Sequence, residues 1–117
     1  MNLIEQKSFH FAIRIVRLCK YLRERKKEHV MTKQLLRCGT SIGANLAEAE
    51  QAQSRADFIA KACIALKEAV ETKYWLRLLC ATDYLTEKEC GSIMQDCTEI
   101  ERLLTAIIKT ARDNMNK

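Results

Sequence analysis

Apolar residues recur at helical spacing in four stretches of this chain, and polar residues fill the positions between them. The first stretch predicts a helix from about Glu5 to Lys26, with Phe11, Ile15, Leu18 and Leu22 as its core stripe. A second stripe, Phe9, Ile13 and Val16, lies on the face that also carries Lys20. A monomer's surface helix needs only one apolar face. Two faces predict one contact inside the subunit and one with a neighbouring copy. No Gly or Pro marks the end of this helix, so the break falls within Glu24 to His29.

The second stretch predicts a helix from about Val30 to Gln51. Leu35, Gly39, Ile42, Leu46 and Ala49 step by four, three, four and three, a heptad seam suited to a helix bundle. Gly39, Gly43 and Ala47 step by four along its edge and would let another helix backbone approach closely. Thr40 and Ser41 sit where their hydroxyls can bond back to carbonyls one turn earlier.

Ser54 reads as the N-cap of a third helix, with Asp57 in its first turn and an end near Ala81. Its inner stripe is Phe58, Ala62, Ala65, Ala69 and Leu76. So much alanine predicts tight packing, with the small-residue edge of helix two as the natural partner. Ile64 and Trp75 fall on the opposite side and read as a second subunit contact. Thr86 and Glu89 form a capping box that starts helix four. Its stripe is Cys90, Ile93, Cys97, Ile100, Leu104, Ile107, Ile108 and Ala111, and Asp113 to Lys117 should fray. Four such helices joined by short loops predict an all-α, antiparallel up-down-up-down bundle, one domain over residues 1–117.

Composition supports this picture. The 117 residues include no Pro and three Gly, so little interrupts helices. No apolar run is long enough to cross a membrane, and the first residues do not read as a secretory signal, so a cytoplasmic protein is expected. The six cysteines, at 19, 38, 63, 80, 90 and 97, contain no Cys-x-x-Cys pair. They read as reduced thiols used as small hydrophobes.

Charge is unevenly distributed. Residues 1–54 carry ten Lys/Arg and five Asp/Glu, whereas residues 55–117 carry ten of each. The whole net charge of +5 therefore belongs to the first half, and it is densest from Lys20 to Lys27. Cations suit the C-terminal end of a helix, which makes a solvated helix end the commoner reading. The sharper reading is an electrostatic footprint for a polyanion.

The residues needed for most chemistries are not set out for them. A di-iron bundle needs Glu-x-x-His pairs, and there are none. His10 and His29 lie near opposite ends of helix one and read as solvated. No metal or cofactor is expected. The Thr40–Ser41–Gly43 region lacks the Gly-x-x-x-x-Gly-Lys pattern of a phosphate loop. Glu68 and Glu71, beside Lys67 and Lys73, read as a salt-bridged helix face. Cys63 is the least buried cysteine by helical phase but has no histidine nearby in sequence. An enzyme is not expected.

The segment Gln34 to Ala49, Gln-Leu-Leu-Arg-Cys-Gly-Thr-Ser-Ile-Gly-Ala-Asn-Leu-Ala-Glu-Ala, resembles the signature of the bacterial four-helix-bundle proteins encoded within intervening sequences of 23S rRNA genes. Ser54 to Leu76 also resembles that family, and Phe11, Ala12, Ile13 and Leu18 extend the likeness into helix one. Cys38 stands where the family usually has Ser. The resemblance implies a bundle that assembles into a homopentameric ring with a central channel. The family includes the accessory protein of diversity-generating retroelements, which binds nucleic acid and a reverse transcriptase through basic surfaces.

Two functions are therefore expected to compete. The first is a homo-oligomeric scaffold whose basic surface binds RNA or DNA without sequence preference. Arg14, Arg17, Lys20, Arg23, Lys26 and Lys27 are its candidate phosphate contacts, with Arg37 a weaker one. The second is an assembly module that recruits a protein such as a reverse transcriptase and has no nucleic-acid role. Neither needs a membrane.

Overall fold

The computed structural model describes residues 2–116. Helices α1 (Leu3–Arg25), α2 (Met31–Ala49), α3 (Arg55–Ala81) and α4 (Glu87–Met115) make up nearly all of them, with no strand among the described residues. Contacts between neighbouring helices run in opposite directions. Ile15 and Ser8 of α1 meet Gly39 and Gly43 of α2. Arg37 and Glu48 of α2 pair with Glu68 and Lys61 of α3. Cys80 and Cys63 of α3 meet Cys90 and Arg112 of α4. Lys7 and Arg14 of α1 pair with Glu99 and Asp96 of α4. The result is an up-down-up-down bundle measuring 51 × 22 × 22 Å. No helix among the described residues is long and apolar enough to cross a membrane.

The core is the set of stripes expected from periodicity. Phe11, Ile15, Leu22, Leu35, Ile42, Leu76, Ile100 and Leu104 are buried, and Leu18, Cys90 and Ile107 are half-buried at its margins, whereas Phe58, expected in the inner stripe of α3, is half-buried outside that core. Helix starts also follow their caps. Asn2 accepts from Glu5 N–H at 3.0 Å, and Ser54 Oγ accepts from Asp57 N–H at 3.0 Å. The Thr86–Glu89 capping box is closed in both directions, at 3.1 and 2.9 Å.

The α1–α2 turn is built without glycine. The amides of Lys26 and Glu28 both donate to Leu22 O at 3.1 Å. Lys27 between them takes φ 56°, the left-handed conformation that usually selects glycine at this position. The buried Glu28 carboxylate then accepts from the amides of Val30, Met31 and Thr32 at 3.1, 2.9 and 2.8 Å. It caps α2 from two residues before Val30, whose own side chain makes no capping bond. Arg23 Nε donates to Thr32 Oγ1 at 3.2 Å and ties the turn back to α1.

Several expectations are corrected. The cysteines are not all reduced: Cys80 and Cys90 form a disulfide, with Cα atoms 6.0 Å apart. One lies in the last turn of α3 and the other in the first turn of α4, so the antiparallel hairpin makes neighbours of residues that are ten apart in sequence. Cys19, Cys38 and Cys97 are free and buried, as expected of small hydrophobes. The small-residue edge of α2 faces α1 rather than α3. A Cβ on Gly39 would lie 2.9 Å from Ile15 side-chain atoms, and one on Gly43 would lie 3.5 Å from Ser8 Oγ. Ala47 continues the edge but is exposed. Trp75 is half-buried against the core rather than outward, because α2 lies alongside its flank of α3. Helix α4 continues through Asp113 to Met115 instead of fraying there, and Lys117 lies outside the described residues.

Candidate functional site

The candidate cations of α1 fall into two groups. Arg14 is held: its Nη1 is 2.6 Å from Asp96 Oδ2, and its Nη2 donates to Ser92 Oγ at 3.0 Å. Arg23 is half-buried and engaged with Thr32. In contrast, Arg17, Lys20, Lys26 and Lys27 are exposed, and none forms an ion pair among the described residues. Arg25 beside them is the same. They run from the middle of α1 onto the turn that follows it. The left-handed turn at Lys27 and the capping role of Glu28 keep that end compact.

Arg37 lies apart from this group on α2. Its guanidinium bridges Glu68 Oε2 at 3.2 Å and Glu71 Oε2 at 2.5 Å. Glu71 also accepts from Trp75 Nε1 at 3.0 Å. The indole N–H and then Arg37 hold the Glu71 carboxyl below the usual carboxylate range. The partner of this acidic pair is thus Arg37 across the α2–α3 seam. Of the lysines expected to neutralise it, Lys73 instead reaches Glu101 of α4 at 3.8 Å. Helical phase within α3 carries no information about which α2 residue lies opposite, which is why the sequence concealed this cluster.

The thiols offer little nucleophilic chemistry. Burial pushes Cys19 up to about 11 and Cys97 up to about 12, and raises Cys38 as well. Cys63 is the most accessible free thiol and accepts from Arg112 Nη2 at 3.5 Å. His10 and His29 are both exposed. Among the described residues no His, Cys, Asp and Glu gather as a metal-binding group.

The candidate subunit contacts are mostly on the surface. Phe9 is 59% exposed, Val16 48% and Ile64 40%, with Ile13 half-buried. Phe9 borders a shallow groove between α1 and α2 lined by Ala12, Gly43, Ala44 and Ala47. The pairing of a large exposed ring with a small-residue groove appears only when the two helices are placed side by side.

The family model of the 23S rRNA-intervening sequence protein matches residues 2–106. The fold is also that of a solved crystal structure, of a protein with unknown function from the S23 ribosomal protein family of Bacteroides thetaiotaomicron. That protein is 61% identical, with a TM-score of 0.90 over 92% of this chain and 99% of its own. None of the curated proteins matches.

Proposed function

Because the chain belongs to the family of 23S rRNA-intervening sequence proteins, we propose that it is a non-enzymatic, homo-oligomeric scaffold that binds RNA or DNA through α1. One observation carries the reading: the cations of α1 are divided. Arg14 is spent on Asp96, whereas Arg17, Lys20, Lys26 and Lys27 project into solvent without an ion-pair partner among the described residues. A cationic strip of this kind suits phosphates, and between Arg14 and Lys27 only Tyr21, 42% exposed, offers a ring to stack on a base. Binding is therefore electrostatic and indifferent to sequence. Arg37 drops out of the contact set because two carboxylates already hold it. In this reading the protein acts in the cytoplasm as a homopentameric ring. Phe9, Ile13, Val16 and Ile64 meet neighbouring subunits, and five copies of the strip act together.

The test is fluorescence anisotropy with a labelled single-stranded RNA and a labelled DNA duplex. Affinity should fall steeply between about 50 and about 200 mM salt, by roughly a decade per decade of salt for each phosphate contacted. The Lys20→Glu/Lys27→Glu double variant should weaken both probes alike. A flat salt dependence, or a double variant that binds as well as the parent, overturns the reading. It would leave recruitment of a protein such as a reverse transcriptase as the alternative.

A further inference from the structure

The seam between α1 and α4 is the least closely packed of the four helix seams. A cavity of about 440 Å³ opens into it near the α3–α4 turn. Its floor is apolar: Leu85 and Ile93 are buried and Leu18 is half-buried. Its walls are cationic, with Arg14 and Arg17 one turn apart on α1 and Lys88 facing them from α4. Arg14 is fixed in position by Asp96 and Ser92. Arg17 and Lys88 are exposed and form no ion pair among the described residues. The one carboxylate on the lining, Glu89, accepts the Thr86 amide at 2.9 Å and keeps its charge, so three cations on the lining outnumber one anion.

We infer that this groove is a docking site for an acidic peptide segment of a partner protein, one that carries leucine-like side chains between its carboxylates. Charge complementarity and the apolar floor select that occupant together. A polyanion alone would satisfy Arg17 and Lys88 but make no use of the half-buried Leu18 or of the edges of the buried Leu85 and Ile93 that line the groove. None of the lining side chains is aromatic, so nucleic-acid bases have nothing to stack on here. An acidic and apolar peptide uses both features, with apolar anchors in the groove and carboxylates on the rim. The volume lies within the range of ordinary ligand pockets and holds a few side chains rather than a whole helix. The site shares Arg17 with the strip proposed for nucleic acid, whereas Lys20 and Lys27 lie outside it and Lys88 belongs to the groove alone.

The probe is a fluorescein-labelled peptide in which Leu recurs at helical spacing among Glu residues. A second peptide has every Leu replaced by Ser at the same charge. The intact protein should bind the first at least about tenfold more tightly than the second. The Arg17→Glu/Lys88→Glu double variant, both positions being exposed, should lose about tenfold in affinity for the first peptide. The Lys20→Glu/Lys27→Glu variant should bind that peptide as the parent does while losing the oligonucleotides. Equal binding of the two peptides makes the groove a polyanion site only and overturns the proposal. So does no binding at all, as when a second copy of the chain already covers the groove, or an Arg17/Lys88 variant that binds normally.

Discussion

Gly39, Gly43 and Gly91 sit in helices, where glycine costs up to about 1 kcal/mol relative to alanine. Their surroundings assign them opposite responses to the same substitution. At Gly39 a methyl group would meet both γ-carbons of Ile15 at 2.9 Å. Ile15 is fully buried and β-branched, so it cannot swing aside. Gly39→Ala should destabilise, because overpacking of about 1–3 kcal/mol exceeds the gain in helix propensity. At Gly43 the nearest atom would be Ser8 Oγ at 3.5 Å, an ordinary contact, and at Gly91 nothing lies within 4 Å. Gly43→Ala and Gly91→Ala should each stabilise by about 0.5–1 kcal/mol. Urea unfolding of the three variants checks the signs. A stabilised Gly39→Ala would mean that α1 and α2 are not as close as described. The sequence did show that Gly39 and Gly43 were packing residues. It did not show which was tight, because that depends on the side chain that α1 presents at each level.

The turns between helices hold the features hardest to read from residue order. Glu28 resembles one more member of a polar linker, yet its carboxylate caps α2 from inside the fold. Burial opposes its ionisation, but the amides of Met31, Thr32 and Val30 outweigh this and hold its pKa below the ordinary value. A carboxyl whose folded pKa is depressed contributes stability above the unfolded pKa and loses it as pH falls toward the folded one. Stability should therefore decline as pH drops below about 5, and Glu28→Gln should flatten that decline while lowering stability at neutral pH. Lys27→Gly should stabilise by about 1 kcal/mol, since the left-handed backbone there suits glycine. The Cys80–Cys90 bridge closes a short loop, and its removal by Cys90→Ser should cost about 2–3 kcal/mol on the chain-entropy account. The hairpin should survive in thermal melts followed by circular dichroism, because Tyr84 N–H still reaches Leu79 O and the Thr86–Glu89 box still caps α4. Spacing within one helix reveals its buried face, so the four stripes and two of the caps were legible. The disulfide, the Arg37–Glu71–Trp75 cluster and the α1–α4 groove all depend on how far one helix slides past another. Periodicity is silent on that register.

At the scale of the molecule, the core accounts for one face of α1 and leaves another unexplained. Phe9 and Val16 are 59% and 48% exposed, and Phe9 borders a groove of about 280 Å³ between α1 and α2. An exposed ring beside a groove lined by Ala12, Gly43, Ala44 and Ala47, together with Glu5, Ser8 and Thr40, is what a subunit contact would bury. The net charge of +5 works against bringing copies together, and most of that charge sits at the far end of α1 from Phe9. Contact near the N-terminal half of α1 lets copies meet while the charged ends stay apart. The patch calls for copies to meet without fixing their number; on the proposed reading as a homopentamer, light scattering should give about five times the 13.5 kDa chain mass. The thermal midpoint should rise with protein concentration, because dissociation accompanies unfolding. Phe9→Glu adds a charge to the apolar patch and touches no buried core residue position, so it should lower the mass while leaving the helical spectrum intact. A parent protein that scatters as a 13.5 kDa monomer at all concentrations would sink the oligomer, and with it the argument that five strips of cations act as one.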